Sequence, residues 1–236
     1  MSAIHADTPH AIGVIVPSSN RIVERVTRSI LDDRPGIDAC FARVPYAGHP
    51  ADGYDMASFR QAARLLAQAR PEIIIWNATR GALIGFEPDR RLCAAMEDET
   101  GIACATTSLA TVDLLRRRNL RRIGLVAQGS DQDGARLKHT FAQEGVEIVV
   151  GHNFGITDNF EAASVTPEDI EEQVIRLATV ADLDAVLIWS TNLAGHELSA
   201  RLEQRLGIPV LDSAALGILT ALPYATARAA PLLTTP

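Results

Sequence analysis

Ile12-Gly13-Val14-Ile15-Val16 and Ile123-Gly124-Leu125-Val126-Ala127 are nearly the same phrase written twice, at an offset of 111 (from 12 to 123). Each is a short apolar run of strand length. Each is stopped by small polar residues, Pro17-Ser18-Ser19-Asn20 in one and Gln128-Gly129-Ser130 in the other. A second pair supports the first. Ile74-Ile75-Trp76-Asn77-Ala78-Thr79 reads against Leu187-Ile188-Trp189-Ser190-Thr191 at an offset of 113 (from 76 to 189). Two matches at nearly one spacing indicate duplication of a β-α unit.

Working outward, short apolar runs alternate with longer amphipathic ones. Strands are predicted at Ile12–Val16, Asp38–Val44, Glu72–Trp76 and Ala103–Thr106, with helices at Ile22–Leu31, Met56–Ala69, Phe86–Thr100 and Ser108–Arg118. Ser108 is the expected N-cap of the last of these. In the second half, strands are predicted at Arg122–Ala127, Val146–Val150, Asp184–Trp189 and Pro209–Leu211. The helices there are Asp131–Glu144, one opened by Thr166-Pro167-Glu168-Asp169 and running to about Ala181, and Glu197–Leu206. Thr at the N-cap, Pro at the first helical position and acids in the first turn agree on the start at Thr166. Regular alternation implies parallel sheets with right-handed crossovers. The expected fold class is therefore α/β: two pseudo-symmetric Rossmann-like lobes with mostly parallel sheets and an active-site cleft between them. The expected division is residues 1–113 plus 212–236 in one lobe and 114–211 in the other. Residues 1–10 are expected to form a frayed tail.

Composition bounds the function. Of 236 residues, 47% are hydrophobic, enough for a buried core, and only 5% are aromatic. The formal net charge of −7 opposes nucleic-acid binding, and Arg116-Arg117-Arg118 with Arg121-Arg122 reads as solvated helix-end charge. Apolar runs such as Ile73–Trp76 are far too short to span a bilayer. With no signal-peptide pattern at the start, a cytoplasmic protein is expected. Cys40, Cys93 and Cys104 form no C-x-x-C pair, so neither a zinc site nor a disulfide framework is indicated. No G-x-G-x-x-G, Walker or H-E-x-x-H motif occurs, so no cofactor and no metal are expected.

Ligands of such sheets bind outside the carboxyl ends of the strands. That directs attention to four turns, residues 17–20, 77–81, 127–131 and 190–195. Ser19 and Asn20 open a helix, where free backbone N–H groups favour an anion or simply receive a cap. Arg80 suits a carboxylate, or else points to solvent or to Glu87. Ser190 is a nucleophile or proton relay only if a base lies within reach. His196, in the first helical turn beyond, reads more readily as a surface or capping residue. Asn159 lies in a long polar connection and either reaches the cleft or closes an Asx turn. Trp76 and Trp189 read as core. Tyr46, His49 and Tyr54 read as an ordinary surface loop, with a lid as the sharper alternative.

These residues carry a family resemblance. Val16-Pro17-Ser18-Ser19-Asn20 resembles the opening motif of maleate cis-trans isomerases and arylmalonate decarboxylases, a branch of the aspartate/glutamate racemase superfamily. Thr157-Asp158-Asn159-Phe160-Glu161, with Val165-Thr166-Pro167-Glu168-Asp169-Ile170 after it, is similar to a mid-chain segment of that branch. Asn77-Ala78-Thr79-Arg80-Gly81 and Ser190-Thr191-Asn192-Leu193 look like its two catalytic turns, and Pro209-Val210-Leu211-Asp212-Ser213 resembles its closing strand. The resemblance runs over nearly the whole chain in the same order. It implies a cofactor-independent enzyme whose two cysteines, one from each half, flank the substrate; the decarboxylases keep only the second. Here the first cysteine position falls on Ala78 and the second on Ser190, while a tyrosine common after the fifth strand falls near Ser130. Ser19, Asn20, Thr79, Arg80, Ser130, Asn159, Thr191 and Asn192 are then the candidate substrate-binding residues.

A serine hydroxyl is a far weaker acid than a thiol and needs a partner base, and Ala78 moves no proton, so two-base racemisation is excluded. Cys93 and Cys104 read as buried structural thiols. Three readings follow. The first is a divergent enzyme acting on a small carboxylate or dicarboxylate by isomerisation or decarboxylation, or on a small amide or ester acid by hydrolysis through Ser190 or an activated water. The second is a chain whose active-site cysteines were replaced, which takes two changes. The third is a non-catalytic small-anion binding protein. The expected partner is a small carboxylate, with neither nucleic acid nor membrane; the resemblance is compatible with a homo-oligomer.

Overall fold

The computed structural model describes residues 9–227. The first half runs β1 (His10–Pro17), α1 (Val23–Leu31), β2 (Ile37–Val44), α2 (Met56–Ala67), β3 (Ile73–Trp76), α3 (Arg80–Ile84), α4 (Glu87–Thr100), β4 (Ala103–Thr106) and α5 (Thr107–Arg117). The second runs β5 (Arg122–Ala127), α6 (Asp131–Gln143), β6 (Glu147–Asn153), α7 (Pro167–Val180), β7 (Ala185–Trp189), α8 (His196–Leu206), β8 (Val210–Asp212) and α9 (Ser213–Ala227). Two four-stranded sheets result, ordered β2-β1-β3-β4 and β6-β5-β7-β8, with every pairing parallel. Identical strand order in both sheets is the structural counterpart of the repeated phrases.

Register refines the repeat. Ile12 pairs with Ile73, and its counterpart Ile123 pairs with Ala185, so the third strands are related by 112 positions (from 73 to 185) rather than 113. Trp76 therefore corresponds to Ile188, not Trp189, and the two tryptophans lie on opposite faces of their sheets. Trp76 packs with Phe59 and Leu92 beneath α2 and α4, and Trp189 packs with Phe141 beside α6. The shared Ile-Trp phrase was a one-residue coincidence. Because strand side chains alternate with period two, the slip reverses the face. The same register places Ala78 and Ser190 at equivalent positions.

Local chemistry explains most elements. Thr166 caps α7 through Asp169 N, with Pro167 in its first turn. Ser130 and Asp133 form a reciprocal capping box on α6. Thr106, not Ser108, caps α5 by accepting from Leu109 N, and Ser108 is buried inside the helix. Strand β1 begins at His10, whose Nδ1 lies 2.7 Å from Glu72 Oε1, so the expected frayed tail is shorter by at least that residue; residues 1–8 lie outside the described range. Three elements escaped the sequence reading: α3, a 3-10 turn at Glu161–Ser164, and α9. Helix α9 is apolar around most of its circumference and contains Pro223, so it offers no amphipathic period to detect.

Helix α9 returns across the molecule. Ala214, Ala215, Ile218 and Ala221 pack on Ile12, Val14 and Ile75 of the first sheet. Reciprocally, Val112 and Leu115 of α5 join Ile123, Leu125 and Leu187 of the second. The lobes are thus tied by exchanged helices. No described helix is long and apolar enough to cross a membrane.

Phe141 stands at the lobe junction, edge-on to Phe86 at 5.5 Å and to Trp189 at 5.3 Å between ring centroids. It is fully buried. Phe141→Ala is expected to lower the unfolding free energy by about 3–5 kcal/mol, read by urea denaturation.

Candidate functional site

The carboxyl ends of β1, β3, β5 and β7 meet at one cavity of about 190 Å3. Its wall draws on both lobes: Pro17, Trp76, Ala78 and Leu83 from the first, and Ala127, Leu137, Ile156 and Trp189 from the second. Both tryptophans are buried core residues that also border the cavity. Polar groups are added by Thr79, Arg80, Gln128, Asp133, Asn159 and Thr191. A small, largely apolar cleft with a few convergent polar groups is the usual form of a small-molecule site.

The candidate residues divide into two groups. Ala78, Thr79, Arg80, Asn159 and Thr191 border the cavity. The Thr79 hydroxyl makes no hydrogen bond among the described residues, although Thr79 stands at the N-cap of α3. Thr191 Oγ1 accepts from Asn20 Nδ2 at 3.2 Å, which leaves its own proton free to donate.

Ser19, Asn20, Ser130, Ser190 and Asn192 do not border it, and their polar atoms are largely spent on protein partners. Asn20 Oδ1 caps α1 by accepting from Ile22 N and Val23 N at 3.0 and 2.9 Å, and its Nδ2 donates to Thr191 O at 3.0 Å. Asn192 Oδ1 accepts from Arg21 N at 2.8 Å, while its Nδ2 donates to Asn159 O. Asn159 Nδ2 in turn donates to Ser19 Oγ at 2.9 Å. Asn20, Asn192 and Ser19, read from the sequence as anion binders, form a clamp between the lobes. Ser130 is a helix cap.

Ser190 is 3% exposed; its Oγ donates to Gln128 Oε1 and accepts from Asn192 N at 3.1 Å. Its side-chain partner is thus an amide, which cannot take a proton, and no base touches it among the described residues. Gln128 itself borders the cavity. His196 opens α8 and does not reach the cavity. Cys93 and Cys104 lie elsewhere, and burial pushes the Cys104 thiol up to about 12 and Cys93 still higher, so neither supplies a thiolate.

The loop after β2, read from the sequence as an ordinary surface loop with a lid as the alternative, borders the cavity through Tyr46 and His49. It is braced from below by Arg80, whose Nη2 donates to Pro50 O at 2.8 Å, and by Ser18 Oγ, which accepts from Tyr46 N at 3.1 Å. Arg80 therefore turns neither to solvent alone nor to Glu87, which lies by Arg90. Burial, aided by the Arg80 charge, holds the His49 pKa below its ordinary value, and its Nδ1 accepts from Asp55 N at 3.1 Å. Tyr54 is buried and donates to Asp89 Oδ1 at 2.5 Å. Asp89 also accepts from Thr106 Oγ1 at 2.5 Å and sits behind Gly81, where a Cβ would lie 2.1 Å from its carboxyl carbon. In the other lobe Asp212 sits behind Gly195 in the same manner, 2.9 Å from such a Cβ. Each site turn thus rests its glycine on a buried carboxyl group.

This duplicated α/β frame, with its interlobe cavity at the strand ends, is that of the aspartate/glutamate racemase superfamily of enzymes. Within it the chain belongs to the arylmalonate decarboxylase family, whose profile matches residues 49–231. It is 27% identical to arylmalonate decarboxylase of Bordetella bronchiseptica over 213 residues, 90% of this chain and 88% of that protein. It is 26% identical to maleate isomerase of Nocardia farcinica over 217 residues, 87% and 86% of the two chains. The structure of unliganded arylmalonate decarboxylase superposes with a TM-score of 0.76 at 25% identity, covering 92% of each chain. A cysteine-to-serine mutant of Nocardia farcinica maleate cis-trans isomerase, bearing a covalent succinylcysteine intermediate, shares the fold with a TM-score of 0.76 at 23% identity over 91% of this chain and 92% of that one.

Burial raises the two buttressing carboxyls from an ordinary 3.8, Asp89 to about 6 and Asp212 to about 7. The unfolded chain releases these protons first, so stability falls as pH rises from about 4 to each raised value, by about 1.4 kcal/mol per pH unit per group. Asp212→Asn is expected to remove one such slope between pH 4 and 7, measured by urea denaturation at a series of pH values.

Proposed function

We propose that the protein is a cofactor-independent lyase that decarboxylates a small malonate-type acid. Arg80, Thr79 and Thr191 hold the carboxylate that stays, and the apolar wall faces the one that leaves. The observation that carries the reading is that a single guanidinium, making no ion pair among the described residues, borders a cavity otherwise walled mainly by Trp76, Trp189, Leu83, Leu137 and Ile156. A carboxylate pressed against such a wall is poorly solvated, whereas carbon dioxide is neutral and loses nothing there. When the carbon–carbon bond breaks, its electron pair stays on the α-carbon and delocalises into the retained carboxylate, where Arg80 and the two threonine hydroxyls meet the growing charge.

The proton that completes the reaction is assigned to Ser190. The step requires its Oγ to leave Gln128 and turn toward the cavity; the Asn192 N–H, 3.1 Å from it in this structure, stabilises the oxygen as it gives its proton to the α-carbon, and water returns a proton to it. Family membership supports the reading, since its name-giving activity needs one acid in this turn. Isomerisation of a dicarboxylate such as maleate keeps two carboxylates throughout, and one guanidinium serves that less well. Hydrolysis through Ser190 as nucleophile needs a base beside it, and its side-chain partner is an amide.

Proton NMR of the protein with phenylmalonate is expected to show conversion to phenylacetate. Arg80→Met should raise KM about tenfold or more. Ser190→Ala should lower kcat about a hundredfold with little change in KM, and Ser190→Cys should raise kcat. Turnover of maleate and of no malonate would replace this reading with the isomerase. Turnover of neither, with thermal stabilisation by small acids, would leave a binding protein.

A further inference from the structure

The cavity holds a second charge that decarboxylation of a plain malonate does not require. Asp133, from the first turn of α6, borders it from the second lobe while Arg80 borders it from the first. Both charges are spoken for only in part. Asp133 Oδ2 accepts from Ser130 N at 3.0 Å and Ser130 Oγ at 2.8 Å, but Oδ1 has no hydrogen-bond partner among the described residues. Arg80 spends Nε and Nη2 on the carbonyls of Gly53 and Pro50, and its Nη1 likewise has no partner. Neither residue makes an ion pair among the described residues, and they do not pair with each other. They stand across one cavity with room between them. Tyr46, at the mouth, lies within the field of both, together with Asp158.

Arg80 and Asp133 are half-buried charges of opposite sign on the two walls of a mostly apolar cleft, each with an unpartnered polar atom, and a ligand carrying both signs complements them. A malonate without an amine would satisfy Arg80 but give Asp133 no cation to meet. We propose that the natural ligand is a small carboxylic acid that also carries a protonated amine, an amino-substituted malonate-type acid whose decarboxylation leaves an α-amino acid. Its carboxylate bridges to Arg80 Nη1, its ammonium to Asp133 Oδ1, and its side group lies between Trp76 and Trp189. The capping box fixes the Asp133 rotamer through the other oxygen, so the free one is presented without further ordering. The inference rests on the carboxylate site described above and adds the amine.

Isothermal titration calorimetry at pH 7 with DL-phenylglycine and phenylacetate, which differ in the amine, tests it. Phenylglycine is expected to bind at least about tenfold more tightly. Asp133→Asn, an isostere that can still cap α6, should abolish that preference, and Asp133→Glu, which keeps the charge, should retain part of it. If phenylacetate binds as tightly as phenylglycine or more so, and Arg80→Met weakens it, the amine site is overturned and the carboxylate site stands. A preference for phenylglycine that survives Asp133→Asn also overturns the assignment. If neither acid binds, the carboxylate site falls with it.

Discussion

The lobes of this protein are held in register by a short run of hydrogen bonds that crosses between them at the strand ends. Asn20 reaches the backbone of Thr191, Asn192 reaches Arg21 and Asn159, and Asn159 reaches Ser19. Parallel strands leave polar backbone at their carboxyl ends, and when two such ends face each other at a buried junction those groups need partners. The clamp supplies them, and in doing so fixes the distance across the cavity. Everything the cavity does chemically depends on that spacing, since Arg80 comes from one side and Asp133 and Thr191 from the other.

Beneath the clamp, the two halves solve one packing problem in parallel. Each sheet carries helices on both faces, and each site turn has a glycine seated over a buried carboxyl group. At Gly81 and Gly195 the close approach leaves no space for a Cβ. Burial makes these carboxyls costly to ionise, so below about pH 6 they act as neutral hydrogen-bonding props, and neither borders the cavity. Charge within the cavity is left to Arg80 and Asp133.

Family membership fixes the frame. It does not supply the acid. Ala78 and Ser190 occupy equivalent places in the two lobes, one bordering the cavity and the other set back behind Gln128. A proton-transfer step through a serine without a base is slow by comparison with a thiol, which makes binding geometry, more than acid strength, the means by which this chain would gain rate.

The sequence by itself determined the α/β class, the duplication and the four turns that matter. Those properties are written locally, in apolar runs of strand length, helix caps and a repeated phrase. The family resemblance also carried the equivalence of Ala78 with Ser190, although the two tryptophans of the repeated phrase stand one position out of register. Only the tertiary structure decided which polar residues of those turns face a ligand and which face each other. Asn20 and Thr79 look alike as candidates in a string of letters, and their difference lies in partners more than a hundred residues away. For the same reason the return of α9 and the confrontation of Arg80 with Asp133 had no signature in the chain, and the lid of Tyr46 and His49 stood only as an alternative to a surface loop. Each arises from contacts between distant segments, and no periodicity records them.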